Sequence, residues 1–144
     1  MMVLKTSLTI LLFVFAFNAS ARDDKLMFPV KAAVERGIAE GIIDGTVKFY
    51  FGDTEHPKVK SEFGEIKTNK KTNAFNKSDL EACQWAFLSA IKAFHQKAKK
   101  LGANAVINIQ SNYKNNPVKD NTQFQCGAGS WVAGVALKGN FVKL

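Results

Sequence analysis

The chain is 144 residues long, carries 20 lysines and arginines against 12 aspartates and glutamates, and has a formal charge of +8. This length fits one domain, and 47% hydrophobic residues with twelve phenylalanines exclude a disordered or collagen-like polymer. A small protein with this much positive charge is at first sight typical of a nucleic-acid binder.

The first 21 residues have the pattern of a secretory signal peptide. Lys5 is their only charge, an apolar run from Leu8 to Phe17 follows, and Ala19-Ser20-Ala21 matches an A-x-A cleavage site. A membrane anchor or an N-terminal core helix is the alternative, but the run is shorter than the roughly 20 residues that span a bilayer. Cleavage leaves residues 22–144 as one secreted domain with 19 basic and 12 acidic residues, a charge of +7. We therefore expect a periplasmic or secreted protein with no nucleic-acid partner and no transmembrane span after cleavage.

The two cysteines, Cys83 and Cys126, suit the same compartment. In an oxidising environment one structural disulfide between them is the default, while two free buried thiols or a redox-active pair are the alternatives. The 42 residues between them exclude a C-x-x-C redox motif.

The N-terminal half predicts a short helix and two strands. After a charged, frayed start at residues 22–25, Pro29 precedes apolar residues at helical spacing, which favours a short helix. Residues 46–51 alternate as a half-buried strand does, and the weaker strand at residues 59–68 would pair with it in a hairpin. The polar stretch at residues 67–77 predicts an exposed crossing.

Residues 78–101 carry the strongest helix signal. Ser78 and Glu81 form a capping box, and Gly102 suits the position just after a helix end. Seven apolar residues lie within a narrow stripe on one side of this helix, and we expect them in the core. They are Leu80, Cys83, Phe87, Ile91, Phe94, Ala98 and Leu101.

Three further strands are predicted near residues 105–110, 122–126 and 131–137, where apolar residues alternate. In the last of them the residues on one face, Trp131, Ala133, Val135 and Leu137, alternate with Val132, Gly134 and Ala136. Cys126 then points into the same helix–sheet interface as Cys83, where a disulfide can form. The expected fold class is α+β: an antiparallel sheet of about five strands with one long helix packed on one face, plus a short N-terminal helix.

The order of these elements resembles a known group of small proteins. Residues 98–106 read as a helix end, the letters L-G-A-N-A-V and a strand, and a glycine-rich strand follows at residues 127–137. Over residues 78–137 the chain is similar to the YbjQ-like family of heavy-metal-binding proteins and to the core of RcsF-like outer-membrane stress-sensor lipoproteins. In both, a helix leads through an alanine-rich turn into antiparallel strands.

The chain departs from these families in three ways. It has no lipobox cysteine, one candidate disulfide where the sensor resemblance implies two, and no cluster of metal ligands. Similar secreted chains carry an "excinuclease ATPase subunit" label, but this sequence has no G-x-x-x-x-G-K-[ST] loop to hold the phosphates of a nucleotide.

No constellation of residues predicts an enzymatic reaction. His56, His95 and the two cysteines lack the short spacings of a zinc site, and both histidines are expected to be solvated. Cys83 and His95 lie 12 residues apart on one helix, roughly 18 Å at 1.5 Å per residue, so they cannot form a nucleophile–base pair. We expect no cofactor and no bound metal.

Two features are candidate interaction sites. Lysines of the polar stretch and of the helix end could form a face for an anionic partner, such as lipid headgroups, lipopolysaccharide or an acidic protein, although a solubilising face is the simpler interpretation. They are Lys67, Lys70, Lys71, Lys77, Lys97, Lys99 and Lys100. Trp85 lies on the side of the helix opposite the stripe, where the N-terminal segment covers it or it anchors a partner.

Together these patterns predict a non-enzymatic binding or structural protein of the bacterial envelope. An envelope stress sensor or regulatory module that contacts a protein partner is the alternative. An enzyme of unknown reaction is the third hypothesis.

Overall fold

The long helix forms where the capping pattern predicts it. In the computed structural model, which describes residues 21–144, the Ser78 hydroxyl accepts a hydrogen bond from the Glu81 backbone N–H (3.1 Å), and Gly102 ends the helix at φ 78°. This helix, α2, spans Asp79–Leu101, and a shorter helix, α1, spans Val30–Ala39. Within residues 21–144, none of the helices has the length and apolarity that a membrane span needs. The predicted signal peptide, apart from Ala21, lies outside the described residues.

Six strands form one mixed sheet around a long central strand. They are β1 (Asp24–Pro29), β2 (Lys48–Phe51), β3 (Ser61–Asn73), β4 (Ala105–Ser111), β5 (Gln123–Ala128) and β6 (Val132–Lys143). The central strand is β6, because β3 pairs along one side of it while β5 and β4 pair with successive parts of its other side. β1 extends the sheet from β5, and β2 extends it from β4 as a parallel pair.

The α+β class is confirmed, but the expected antiparallel sheet of about five strands is wrong in strand number and direction. β3 pairs with the whole of β6, from Ser61 opposite Lys143 to Asn73 opposite Val132, so it does not form a hairpin with β2. Residues 67–73 are therefore strand rather than a crossing, because pairing with β6 outweighs their low strand propensity. Likewise Asp24, expected to fray, begins β1 opposite Ala128.

The core lies between α2 and one face of the sheet, where phenylalanine rings fill the space. Phe87 stacks on Phe124 with ring centroids 4.1 Å apart, and Phe94 meets Phe141 edge-on at 5.1 Å. All four rings are at most 1% exposed. Each large apolar side chain buried in this way stabilises the folded protein by about 1.5–3 kcal/mol relative to leaving it exposed to water. This layer of rings therefore sets the position of α2 on the sheet.

A disulfide crosses the same interface. Cys83 of α2 and Cys126 of β5 are bonded, with Cα atoms 5.8 Å apart, and both residues are fully buried. The predicted disulfide is confirmed. It ties the second turn of α2 to β5, close to the turn that leads into β6.

Leu80, which was expected in the core, lies at the surface, and so does Trp131, which was expected to begin the last strand. Leu80 is 45% exposed, because the buried face of α2 begins only at Ala82. Trp131 is 68% exposed, since it precedes β6 and the alternation of the strand does not extend to it.

Candidate functional site

An exposed pair of stacked aromatic rings lies at one end of the sheet. The rings of Phe75 and Trp131 are nearly parallel, with an interplanar angle of 3° and centroids 4.8 Å apart, although each is about half exposed or more. Val132 beside Trp131 is 49% exposed, and Leu80 stands in the first turn of α2 at the same end. We call Phe75, Leu80, Trp131 and Val132 the aromatic surface.

Backbone hydrogen bonds fix the two chain segments that carry the stack. Ala74, just after β3, donates its N–H to the carbonyl of Trp131 (2.8 Å), which continues the pairing of Asn73 with Val132. The side chain of Asn73 accepts the N–H of Phe75 (2.8 Å), and the N–H of Gly129 closes the β5–β6 turn on the carbonyl of Val132 (3.0 Å). The rings are therefore presented by a hydrogen-bonded scaffold rather than by an unsupported loop.

The start of the described chain lies against this end of the molecule. The Arg22 guanidinium donates to both oxygens of Asp79 (3.0 and 2.5 Å) and to Asp24 (2.8 Å). The hydrogen bonds from Arg22 hold the pKa of Asp79 below its usual range. The Arg22 carbonyl lies so close to Gly129 that a Cβ there would meet it at 3.0 Å. Arg22 thus joins the N-terminus of α2 to the β5–β6 turn, and the two aspartates outweigh its positive charge by one negative charge.

Two lysines near the aromatic surface have no ion pair among residues 21–144. Lys77 lies two residues beyond Phe75 and donates its ammonium to the carbonyl of Asn73 (2.8 Å). Lys71 lies two residues before Asn73 on β3, opposite Gly134, on the face of the sheet away from α2. In residues 21–144 neither Lys71 nor Lys77 has a carboxylate within salt-bridge distance, so both charges are available to a partner.

The structure does not bring the seven candidate lysines together on one surface. Lys67 and Lys71 alternate with Lys70 along β3, so Lys70 lies on the opposite side of the sheet from them. Lys97, Lys99 and Lys100 lie at the far end of α2, which is about 34 Å long for its 23 residues. Only the lysines near the end of β3 and the start of α2 are close enough to act with the aromatic surface.

Trp85 is half-buried rather than free on the helix surface. The guanidinium carbon of Arg36, from α1, lies 4.7 Å from the centre of its ring, a distance typical of a cation–π contact. The N-terminal helix therefore covers one face of Trp85. The rest borders a shallow cleft of about 170 Å³ lined by Ile42, Leu88 and Lys92.

His95 lies beside Asp44 and Lys99 at the far end of α2, and the expectation that it is solvated is wrong. It is only 8% exposed, and its Nε2 lies 3.3 Å from the Asp44 carboxylate, which also accepts a hydrogen bond from Lys99 (2.5 Å). Hydrogen bonds from Lys99 and then Thr46 hold the pKa of Asp44 well below its usual range. We call Asp44, His95 and Lys99 the paired-charge end. Within residues 21–144 no three His, Cys, Asp or Glu side chains are grouped as metal ligands would be.

Tyr113 holds the N-terminal strand to the outer face of the sheet. Its ring packs on Gly127, where a Cβ would lie 2.1 Å from the ring, and its hydroxyl donates to Asp23 (2.6 Å). Burial and this hydrogen bond raise the pKa of Tyr113 to about 12. Lys114 also pairs with Asp23, so the charge just before β1 is neutralised too.

The sequence patterns did not indicate Phe75 or the exposure of Trp131, the two residues that define the candidate site. One signal was available: Trp131 directly follows Gly129-Ser130, a turn dipeptide, whereas core tryptophans in strands are flanked by alternating residues. Phe75 carried no such signal, because it lies alone in a polar stretch.

The chain matches no protein-family model, no curated protein and no solved structure. The resemblance to the YbjQ-like and RcsF-like proteins therefore stays a prediction.

Proposed function

We propose that the protein is an exported, non-enzymatic binding domain of the cell envelope that contacts its partner through the aromatic surface. The observation that carries this proposal is the Phe75–Trp131 stack: two large aromatic rings held in a fixed geometry while Trp131 is 68% exposed. Exposed apolar patches on a folded domain typically mark interaction sites, and tryptophan is enriched among residues that dominate binding energy.

The fixed geometry of the stack favours binding over a solubility or folding role. A stack that is already formed loses little side-chain entropy when a partner covers it, because both rings are ordered beforehand. The hydrogen bonds from Ala74 to Trp131 and from Phe75 to Asn73 provide that order.

The location outside the cytoplasm is supported by the disulfide and by the signal-peptide pattern. Cys83 and Cys126, the strongest nucleophiles in the chain, are joined in the core, which suits an oxidising compartment and a structural role. Mass spectrometry of the exported protein tests this part: a chain that begins at Arg22 with a disulfide agrees with the proposal, and a chain that retains residues 1–21 with two free thiols contradicts it.

Binding is tested by co-sedimentation of the exported protein with isolated cell-envelope fractions. We expect the double variant Phe75→Ala/Trp131→Ala to lower the bound fraction by roughly tenfold, since each ring contributes apolar contact area. Phe63→Ala is the matched control, because Phe63 is also exposed but lies 12 residues away along the chain, near the other end of β3.

Equal binding of the double variant and the unaltered protein would contradict the proposal. An equal loss of binding in Phe63→Ala would contradict it too, because the effect would not be specific to the aromatic surface. Circular dichroism of each variant shows that the fold is retained.

A further inference from the structure

We infer that two copies of this chain join along β3, in an antiparallel pairing whose two-fold axis passes through Ile66. The inference goes beyond the proposed function and does not depend on it. It is carried by three observations on β3: a backbone edge without a strand partner in residues 21–144, charged side chains without ion pairs there, and an order of charges that complements itself when the strand is reversed.

One edge of β3 is open along the whole strand. Within the described chain β6 is its only strand partner, and ten of its 13 residues are exposed, so neither α2 nor a loop covers the other edge. Ala74 donates its N–H to Trp131, and the register with β6 is regular from Gly64 to Asn73. The even-numbered residues of this stretch therefore bond to β6, and the odd-numbered ones direct their backbone N–H and C=O outward. Such an edge is a template for another strand.

The charged side chains of β3 have no counter-charge within the described chain. None of the five takes part in a salt bridge among residues 21–144. Lys67 lies directly opposite Lys138 of β6, and like charges in that position are unfavourable. A carboxylate on the open side of Lys67 would offset this repulsion. The five residues are Glu62, Glu65, Lys67, Lys70 and Lys71.

The order of these charges favours a reversed copy of the same strand. The acidic residues lie in the first half of β3 and the basic residues in the second. Lysines on an edge strand usually discourage pairing, but with the axis at Ile66 each Lys67 lies opposite Glu65 of the other copy. Both side chains are on the sheet face away from α2, and both residues have outward backbone groups, so charge and hydrogen bonding agree.

Other arrangements of the same two strands are less favourable. An axis at Glu65 or at Lys67 places like charges opposite each other, and a parallel pairing in register does the same. An axis at Thr68 places Lys67 opposite Asn69 and leaves its repulsion with β6 in place. The axis at Ile66 also brings the two isoleucines together on the α2 face, where each is half-buried against the core.

The pairing ends at two copies and changes what the molecule presents. Each copy uses the same edge, so the two-fold assembly is closed. Asn73 lies seven residues from Ile66, so the two aromatic surfaces would stand roughly 48 Å apart at 3.4 Å per residue. Two such surfaces on one particle bind a repeating partner more tightly than one does.

Sedimentation equilibrium of the exported protein over a concentration series tests the inference. We expect a monomer–dimer equilibrium that Glu65→Lys or Lys67→Glu alone weakens by roughly tenfold, because each places two like-charged pairs in the dimer. The double variant Glu65→Lys/Lys67→Glu, and an equimolar mixture of the two single variants, should regain dimerisation. Lys31→Glu is the matched control on α1 and should change the dissociation constant by less than about twofold.

A new cysteine at the axis tests the register. Across the axis, residues that are not hydrogen-bonded to each other have Cα atoms about 4.5 Å apart, which a disulfide can bridge. Cys83 and Cys126 are bonded to each other, so the new thiol is the only free one. Mild oxidation should link Ile66→Cys into dimers and leave Thr68→Cys unlinked, because the two copies of residue 68 lie roughly 14 Å apart.

Three results would overturn the inference. They are an unaltered protein that stays monomeric up to about 1 mM, a mixture of the two single variants that associates no better than either alone, and linking of Thr68→Cys in place of Ile66→Cys. The proposed function stands or falls separately, since it is measured by envelope binding of Phe75→Ala/Trp131→Ala.

Discussion

The two ends of α2 differ in the surface side chains that they present. At its start, the aromatic surface leaves Phe75 and Trp131 exposed, and the structure beneath them is held by a disulfide and by strand pairing. At its other end, three polar side chains are paired: Asp44 contacts both His95 and Lys99. About 34 Å of helix separates the two ends.

The difference shows where an external partner would fit. At the paired-charge end Asp44 already contacts His95 and Lys99, so a partner gains little from this carboxylate. The aromatic surface is ordered but uncovered, and a partner there gains apolar contact without having to organise the rings.

Removal of the disulfide, which ties the start of α2 to β5, should lower the free energy of unfolding strongly. For Cys83→Ala/Cys126→Ala, the 43-residue separation of the cysteines predicts a loss of about 4 kcal/mol in the free energy of unfolding, from the added freedom of the unfolded chain. Urea unfolding measures this loss. Reductant should destabilise the unaltered protein similarly and leave the variant unchanged, and a loss below about 1 kcal/mol would show that packing alone holds this end together.

Filling the space beneath Tyr113 should have a smaller effect. In Gly127→Ala the new methyl group would lie 2.1 Å from the Tyr113 ring, so the ring must shift, at an expected cost of about 1–3 kcal/mol in unfolding free energy. Thermal unfolding measures it. In a Tyr113→Ala background the same glycine substitution should cost much less, and an equal cost in both backgrounds would mean that the ring is not the obstacle.

The exposed stack should matter for binding far more than for stability. Trp131→Ala should lower the free energy of unfolding by at most about 1 kcal/mol, the typical value of an aromatic pair. Phe87→Ala, in the buried stack with Phe124, should cost about 3–5 kcal/mol. Chemical denaturation of both variants makes the comparison, and an equal loss would show that Trp131 is a structural residue rather than part of a binding surface.

The paired-charge end should give the smallest effect, and one that depends on pH. Because the hydrogen bond from Lys99 and those from Thr46 lower the pKa of Asp44 in the folded state, the unfolded chain binds more protons at this carboxyl. The stability it contributes is therefore present above about pH 4 and is lost as the pH falls further. Asp44→Asn should destabilise the protein at pH 7, and the difference in Tm should shrink towards pH 2; parallel pH profiles would contradict this.

Local signals predicted some parts of this molecule well. The capping box at Ser78 and Glu81 and the apolar spacing after it predicted α2, because a helix is specified by neighbouring residues. The disulfide was predictable because Cys83 lies on the apolar face of that helix and Cys126 on the inward face of a strand.

Non-local pairing explains what the sequence could not show. The polar residues 67–73 become strand only because β6 is long enough to pair with them, and β2 is parallel to β4 although the two lie far apart in the chain. The aromatic surface depends on the same pairing, since the contact between Ala74 and Trp131 brings Phe75 to the tryptophan. His95 was misjudged because its partner, Asp44, belongs to a distant loop.

Photo-crosslinking in isolated cell-envelope fractions most directly tests the central claim that the protein contacts its partner through the aromatic surface. The chain has two tryptophans, so a photoreactive phenylalanine analogue can replace either Trp131 or Trp85. If the aromatic surface is the contact, the analogue at position 131 forms crosslinked species on illumination, while the analogue at position 85 does not. Crosslinking from position 85 alone, or from neither position in bound protein, would contradict the account.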